Sequence, residues 1–148
     1  MPEKNEDLHG SVPETCPTAL LLVDVINDME FDGGAELLGQ ALPMAESLAR
    51  LTERARKAGV PVIYVNDNFG KWRSDFRALL EHCLGGDVRG RPVARLLVPE
   101  KTDYFVLKPK HSGFFSTTLD TLFEYLHTRT VIVTGLATDR CVLFTASD

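Results

Sequence analysis

The stretch TALLLVDV, residues 18–25, is a short apolar run that carries one carboxylate, Asp24, near its end. It is too brief for a helix, and its hydrophobicity is continuous rather than alternating. That is the pattern of a strand covered on both faces, as in a parallel sheet. Three further runs of the same kind follow: PVIYVND (61–67), DYFVLKP (103–109, broken by Pro109) and TVIVTGL (130–136). Helical patterns lie between them. In residues 43–58, Met44, Leu48, Leu51 and Ala55 fall at three- and four-residue steps, with Pro43 at the helix start and Gly59 closing it. Residues 74–84 read as a second helix and GGDVRGRPV (85–93) as a loop. Residues 117–126 place Leu119, Leu122, Phe123 and Leu126 on one face, and residues 138–147 begin another helix. Strands alternating with helices predict an α/β fold with a mainly parallel sheet.

The 148 residues suit one domain. With 16 basic and 21 acidic side chains the net charge is −5, and no basic stretch exists to neutralise phosphates. No nucleic-acid or membrane partner is expected. The longest apolar run, Ala19 to Val23, is far too short to span a bilayer, and the start MPEKNEDLHG lacks the pattern of a secretory signal. Cys16, Cys83 and Cys141 stand far apart with no CxxC pair, which reads as free thiols in a reducing, cytoplasmic setting. Residues 1–17 are polar, contain three prolines and read as a flexible tail before a domain over 18–148.

Ligands of parallel α/β sheets bind beyond the carboxyl ends of the strands. Asp24 ends the first strand, Lys108 the third, and Cys141 follows the fourth, so three reactive groups from distant segments should meet on one rim. Cys141 follows the strand-to-helix turn TGLATDR, where Thr138 or Asp139 is placed to cap the helix and lower the thiol pKa. A buried structural cysteine is the alternative. A carboxylate in an apolar strand, as at Asp24, is either a general base or bonded to a loop. The cation of Lys108 would hold Cys141 as a thiolate; a solvated lysine at a strand end is the alternative. Asn27 and Asp28 are expected to bond local backbone. Phe31, Phe69, Trp72, His111 and Phe114 are candidate pocket residues, with core packing or surface placement as the alternative for each. The four histidines offer no pair at metal-ligand spacing, and no GxGxxG or P-loop is present, so neither metal nor cofactor is expected.

Together LLLVDVIND, DYFVLKPKHSGFFSTTL and VIVTGLATDRCVLFTASD resemble the isochorismatase-like cysteine hydrolase family, which includes isochorismatases, nicotinamidases and other small amidohydrolases. The resemblance runs from about Ala19 to the last residue. It implies a Rossmann-like three-layer α/β/α fold with a sheet of five or six strands, of which four are visible. It also implies a catalytic triad of Asp24, Lys108 and Cys141, a cis peptide between Leu136 and Ala137, and an oxyanion hole from the N–H groups of Ala137 and Cys141. Ile26 stands where members often have Gln. The run around Asp67, Asn68 and Phe69 lacks the histidine through which the nicotinamidase branch binds metal, which disfavours a metal-dependent nicotinamidase.

The implied activity is metal-independent cleavage of a C–N bond in a small amide through a thioester on Cys141. Isochorismatase-type vinyl-ether hydrolysis and a non-catalytic binding or scaffold role are the alternatives. A homo-oligomer acting on a small-molecule substrate is expected by resemblance. Because the family continues for a further strand–helix unit or two, a chain truncated at its C-terminus is expected, or an edge strand TVIVTGL covered by a partner subunit.

Overall fold

The computed structural model describes residues 15–67, 75–109 and 111–148. Its four strands are β1 (Thr18–Val23), β2 (Val62–Asp67), β3 (Tyr104–Lys108) and β4 (Thr130–Gly135). They form one sheet in the order β3-β2-β1-β4, with every pairing parallel. The helices are α1 (Gly34–Lys57), α2 (Phe76–Gly85), α3 (Arg91–Leu96), α4 (Leu119–Leu126) and α5 (Leu143–Ser147), the last preceded by a π-helical turn, Thr138–Val142.

Successive side chains of a strand point to opposite faces, so a run with no polar member must be covered twice. Leu20, Leu22 and Tyr64 pack in one cluster with Ala41, Ala45 and Leu48 of α1, Leu79 of α2 and Val93 of α3. Ala19, Leu21, Val23, Ile63 and Val65 pack in the other with Leu119 and Leu126 of α4 and with Cys141. Three layers, helix on sheet on helix, result. Every residue from Ala19 to Val23 is fully buried, and each such leucine contributes about 1.5–3 kcal/mol by leaving water.

Two elements depart from the sequence expectation. The first helix begins nine positions earlier than residue 43, at Gly34, and Pro43 lies inside it. Pro43 is exposed, so the hydrogen bond it cannot make faces water, while Ala41, Ala45 and Leu48 hold the helix to the core on the opposite side. The stretch expected as a loop over 85–93 runs into α3 from Arg91, with Pro92 in the first turn, where a proline is tolerated. This short helix is set close to the segment leaving β1. The Gly90 N–H donates to the Asp28 carbonyl at 2.8 Å, and a Cβ at Gly90 would lie 1.7 Å from the Asn27 oxygen. The Gly59 closure of α1 has the expected positive φ, 73°.

Of the expected tail, residues 1–14 lie outside the described residues. Cys16 donates its N–H to the Leu126 carbonyl at 3.1 Å, and Pro17 accepts from Arg129 and Thr130, so its last residues are docked. Among the described residues no helix is long and apolar enough to cross a membrane.

Candidate active site

The carboxyl ends of β1, β2 and β3 place three charged side chains together. Asp24 leaves β1 in the left-handed region, φ 52°, a conformation that aspartate tolerates better than a branched residue. Its N–H continues the ladder to the Val65 carbonyl at 2.9 Å, and its Oδ1 accepts the Asp67 N–H at 2.8 Å. Lys108 pairs in register with Asp67 on the neighbouring strand. It therefore stands two strands away from β1, about 10 Å in backbone terms, and a long side chain is needed to cross β2. Its Nζ lies 3.0 Å from Asp24 Oδ2 and 4.0 Å from Asp67 Oδ2. The same ammonium donates to Cys141 Sγ at 3.3 Å. Lys108 is fully buried, Asp24 is 6% exposed and Cys141 9%.

Cys141 reaches this point through the exit of β4. Gly135 has φ 121°, and a Cβ there would lie 2.0 Å from the Val23 oxygen. Only glycine lets β4 approach β1 so closely. Leu136 N–H then donates to Val23 O at 2.8 Å, the Leu136–Ala137 peptide is cis, and the π turn follows. The Ala137 carbonyl accepts N–H groups from both Arg140 and Val142, which winds the turn tightly and points Cys141 inward. Such π turns are rare and recur at functional sites.

The Isochorismatase domain model matches residues 18–148 of the chain. The chain belongs to the isochorismatase family. It is 41% identical over 130 residues to the uncharacterized isochorismatase family protein YaaI of Bacillus subtilis (strain 168), a match covering 88% of this chain and 71% of that protein. It is 30% identical over 159 residues to a ureidoacrylate amidohydrolase, RutB of Methylorubrum extorquens, covering 88% of this chain and 63% of the relative. Among solved structures it resembles N-carbamoylsarcosine amidase from Thermoplasma acidophilum, with a TM-score of 0.60 and 28% identity over 90% of this chain and 75% of that one.

The electrostatics of this isochorismatase-family site differ from the expectation of a resting thiolate. Burial pushes the Cys141 thiol up, the Asp24 carboxylate adds to the rise, and Lys108 opposes both without prevailing; the thiol settles at about 11. At neutral pH the proton therefore stays on sulfur. The expected cap from Thr138 or Asp139 does not occupy the flanking position of the turn, which is Ala137 and makes no side-chain cap bond; the Thr138 side chain lies outside what the structure describes. For Lys108, burial pulls the ammonium down, but Asp24 and Cys141 outweigh it and the net shift is upward. The cation is retained.

The remaining candidates scatter. His111 Nδ1 lies 3.8 Å from Cys141 Sγ, with its ring stacked on Phe144. Phe114 packs on Phe123, against the core cluster that includes Cys141, and lines a groove of about 570 Å³ with Asp120, Glu124, His127 and Arg129. Phe31 is 45% exposed where the chain enters α1. Phe69 and Trp72 lie outside the described residues. Asn27 and Asp28 accept local N–H groups from Met29 and Glu30, as expected, and Asp28 also bonds His82. Two residues received no site role from the sequence. The Asp67 backbone N–H orients Asp24 while its carboxylate lies 4.0 Å from Lys108 Nζ, and fully buried Asn66 donates to the Ile26 carbonyl at 2.6 Å. The signal for both was polar side chains closing an otherwise apolar strand, VIYVND.

Proposed function

We propose that the chain is a cysteine hydrolase that cleaves the C–N bond of a small amide, with Cys141 as nucleophile, Asp24 as general base and Lys108 as the charge that holds both. The observation that carries this reading is one buried ammonium within 3.0 Å of a carboxylate and 3.3 Å of a thiol. The chain's similarity to the ureidoacrylate amidohydrolase RutB and to the N-carbamoylsarcosine amidase of Thermoplasma acidophilum supports the bond class.

Asp24 takes the thiol proton as sulfur attacks the carbonyl carbon. The N–H groups of Ala137 and Cys141 receive the developing oxyanion. As the C–N bond breaks, Asp24 returns that proton to the departing nitrogen, which leaves a thioester. Water then loses a proton to Asp24 and attacks the thioester. The acid departs, and the thiolate recovers its proton from Asp24. No step in this sequence requires a metal. Lys108, 3.0 Å from the carboxylate and 3.3 Å from sulfur, offsets the negative charge that develops on sulfur.

Intact and peptide mass spectrometry with a library of small amides tests the proposal. An acyl adduct on Cys141, absent from Cys141→Ala, is the expected result. Full turnover of an amide by Cys141→Ala refutes it; hydrolysis of a vinyl-ether substrate that survives Cys141→Ala and is lost in Asp24→Asn would assign vinyl-ether hydrolysis instead.

A further inference from the structure

Two nitrogen-bearing side chains face the Cys141 sulfur among the described residues. Lys108 comes from inside the fold, while His111, an exposed residue, comes from the solvent side with Nδ1 at 3.8 Å. The position of this histidine is built rather than incidental. Its ring stacks on Phe144 with centroids 5.8 Å apart and planes 20° from parallel. Two residues later, Gly113 N–H donates to Thr145 Oγ1 at 2.9 Å, and a Cβ on Gly113 would lie 2.9 Å from Val65 Cγ1. The 111–113 segment is thus tied at two adjacent points, Phe144 and Thr145, to the segment that carries the sulfur.

We infer that His111 is a second proton-bearing partner of the nucleophile, sharing one proton between Cys141 Sγ and its own Nδ1. With the proton on sulfur the ring is neutral and Nδ1 accepts. With the proton on Nδ1 the pair is a thiolate beside an imidazolium, and nothing has been exchanged with solvent. The inference deepens the reading of Cys141 as nucleophile and rests on it.

The two flanks of the sulfur then act differently. From the β1 end, Asp24 disfavours charge on sulfur and serves as the acceptor during attack. From the solvent side, an imidazolium favours that charge. Among the described residues, the charged and titratable groups whose contacts reach this pair are Lys108 on β3, Asp24 after β1 and, through Lys108, Asp67 on β2. Phe144 on α5 brings no charge.

A shared proton has a kinetic signature. Thiolate concentration climbs tenfold per pH unit, becomes flat where proton sharing is internal, then climbs again. Alkylation of Cys141 in the full chain by iodoacetamide, followed on its own peptide between pH 5 and pH 9, reads this directly. The expected profile has a flat shoulder in the imidazole range between two limbs of unit slope. In His111→Gln the shoulder disappears and the rate at pH 6 falls about three- to tenfold, half to one unit of thiol pKa. His111→Phe keeps a ring on Phe144 without a proton carrier and is expected to match His111→Gln. A wild-type profile without a shoulder, or a shoulder that survives in either variant, overturns the inference. Alkylation requires no substrate, so a shoulder without turnover of any amide would sink the hydrolase reading alone. Acyl adducts without a shoulder would sink the histidine alone.

Discussion

Replacing Asp24 by Asn should make Cys141 more reactive and the protein inactive. Burial and the Asp24 carboxylate together hold the thiol at about 11, so roughly one molecule in a thousand is a thiolate at pH 8. Asn is close to isosteric, and its oxygen can still accept the Asp67 N–H. What disappears is the negative charge, while the Lys108 ammonium remains 3.3 Å from sulfur. Removing a partly screened charge a few Å away is worth about 1.4 kcal/mol, which is one unit of pKa and a tenfold gain in thiolate. Iodoacetamide alkylation of the Cys141 peptide at pH 8 should accelerate about tenfold, with fully buried Cys83 as internal reference. Amide turnover should fall by about 10²–10⁴ because no group accepts the proton during attack. Lys108→Gln provides the opposite control: without the cation the thiol climbs further and alkylation slows. Slower alkylation in Asp24→Asn, or retained turnover, would refute the assignment of opposing roles to the carboxylate and the ammonium.

Lys108→Met should cost about 3–5 kcal/mol in urea unfolding, because it leaves the nearly buried Asp24 charge without its cation. The Asp24→Asn/Lys108→Met double variant should be more stable than Lys108→Met alone, and simple additivity would contradict the pairing. Gly135→Ala would place a Cβ 2.0 Å from the Val23 oxygen at φ 121°; a loss of several kcal/mol in thermal or urea unfolding is expected, and an unchanged midpoint would refute the close approach. Burial raises Cys83 to about 12, and burial with Asp24 raises Cys141 to about 11, so the folded chain holds these protons more tightly than the unfolded one. Their contribution is fully present below an unfolded thiol value of about 8.5 and declines as pH rises toward 11–12. A urea midpoint no lower at pH 10 than at pH 8 would contradict it.

The sheet was legible because its strands are buried on both faces. Continuous apolar runs located all four, and the Asp24, Lys108 and Cys141 positions followed from where those runs end. The start of α1 was not legible. Pro43 reads as a helix start, yet Leu37, Leu38 and Ala41 ahead of it continue the apolar stripe of Ala45 and Leu48. Helix α3 was hidden by its length, six residues, and by the glycines before it. The protonation of Cys141 was misjudged for a physical reason: spacing showed a neighbouring lysine, but it did not show that burial and a carboxylate would outweigh it. His111 entered as one aromatic candidate among five. Its contact with sulfur depends on a loop trajectory that leaves no periodic trace.

The pairing of β4 with β1 joins residues that are remote in the chain, as the bond from Thr134 to the Leu21 carbonyl does across 113 positions. Contacts of that range form late and slowly, after the entropy of closing a long loop has been met. Until that docking, Asp24 and Lys108 can already meet across β2, whereas Cys141 lacks the β4 exit that delivers it to them. A folding intermediate would therefore carry an ordinary thiol and an open, apolar β1 flank. Chemical competence and protection from aggregation would then be acquired in the same event.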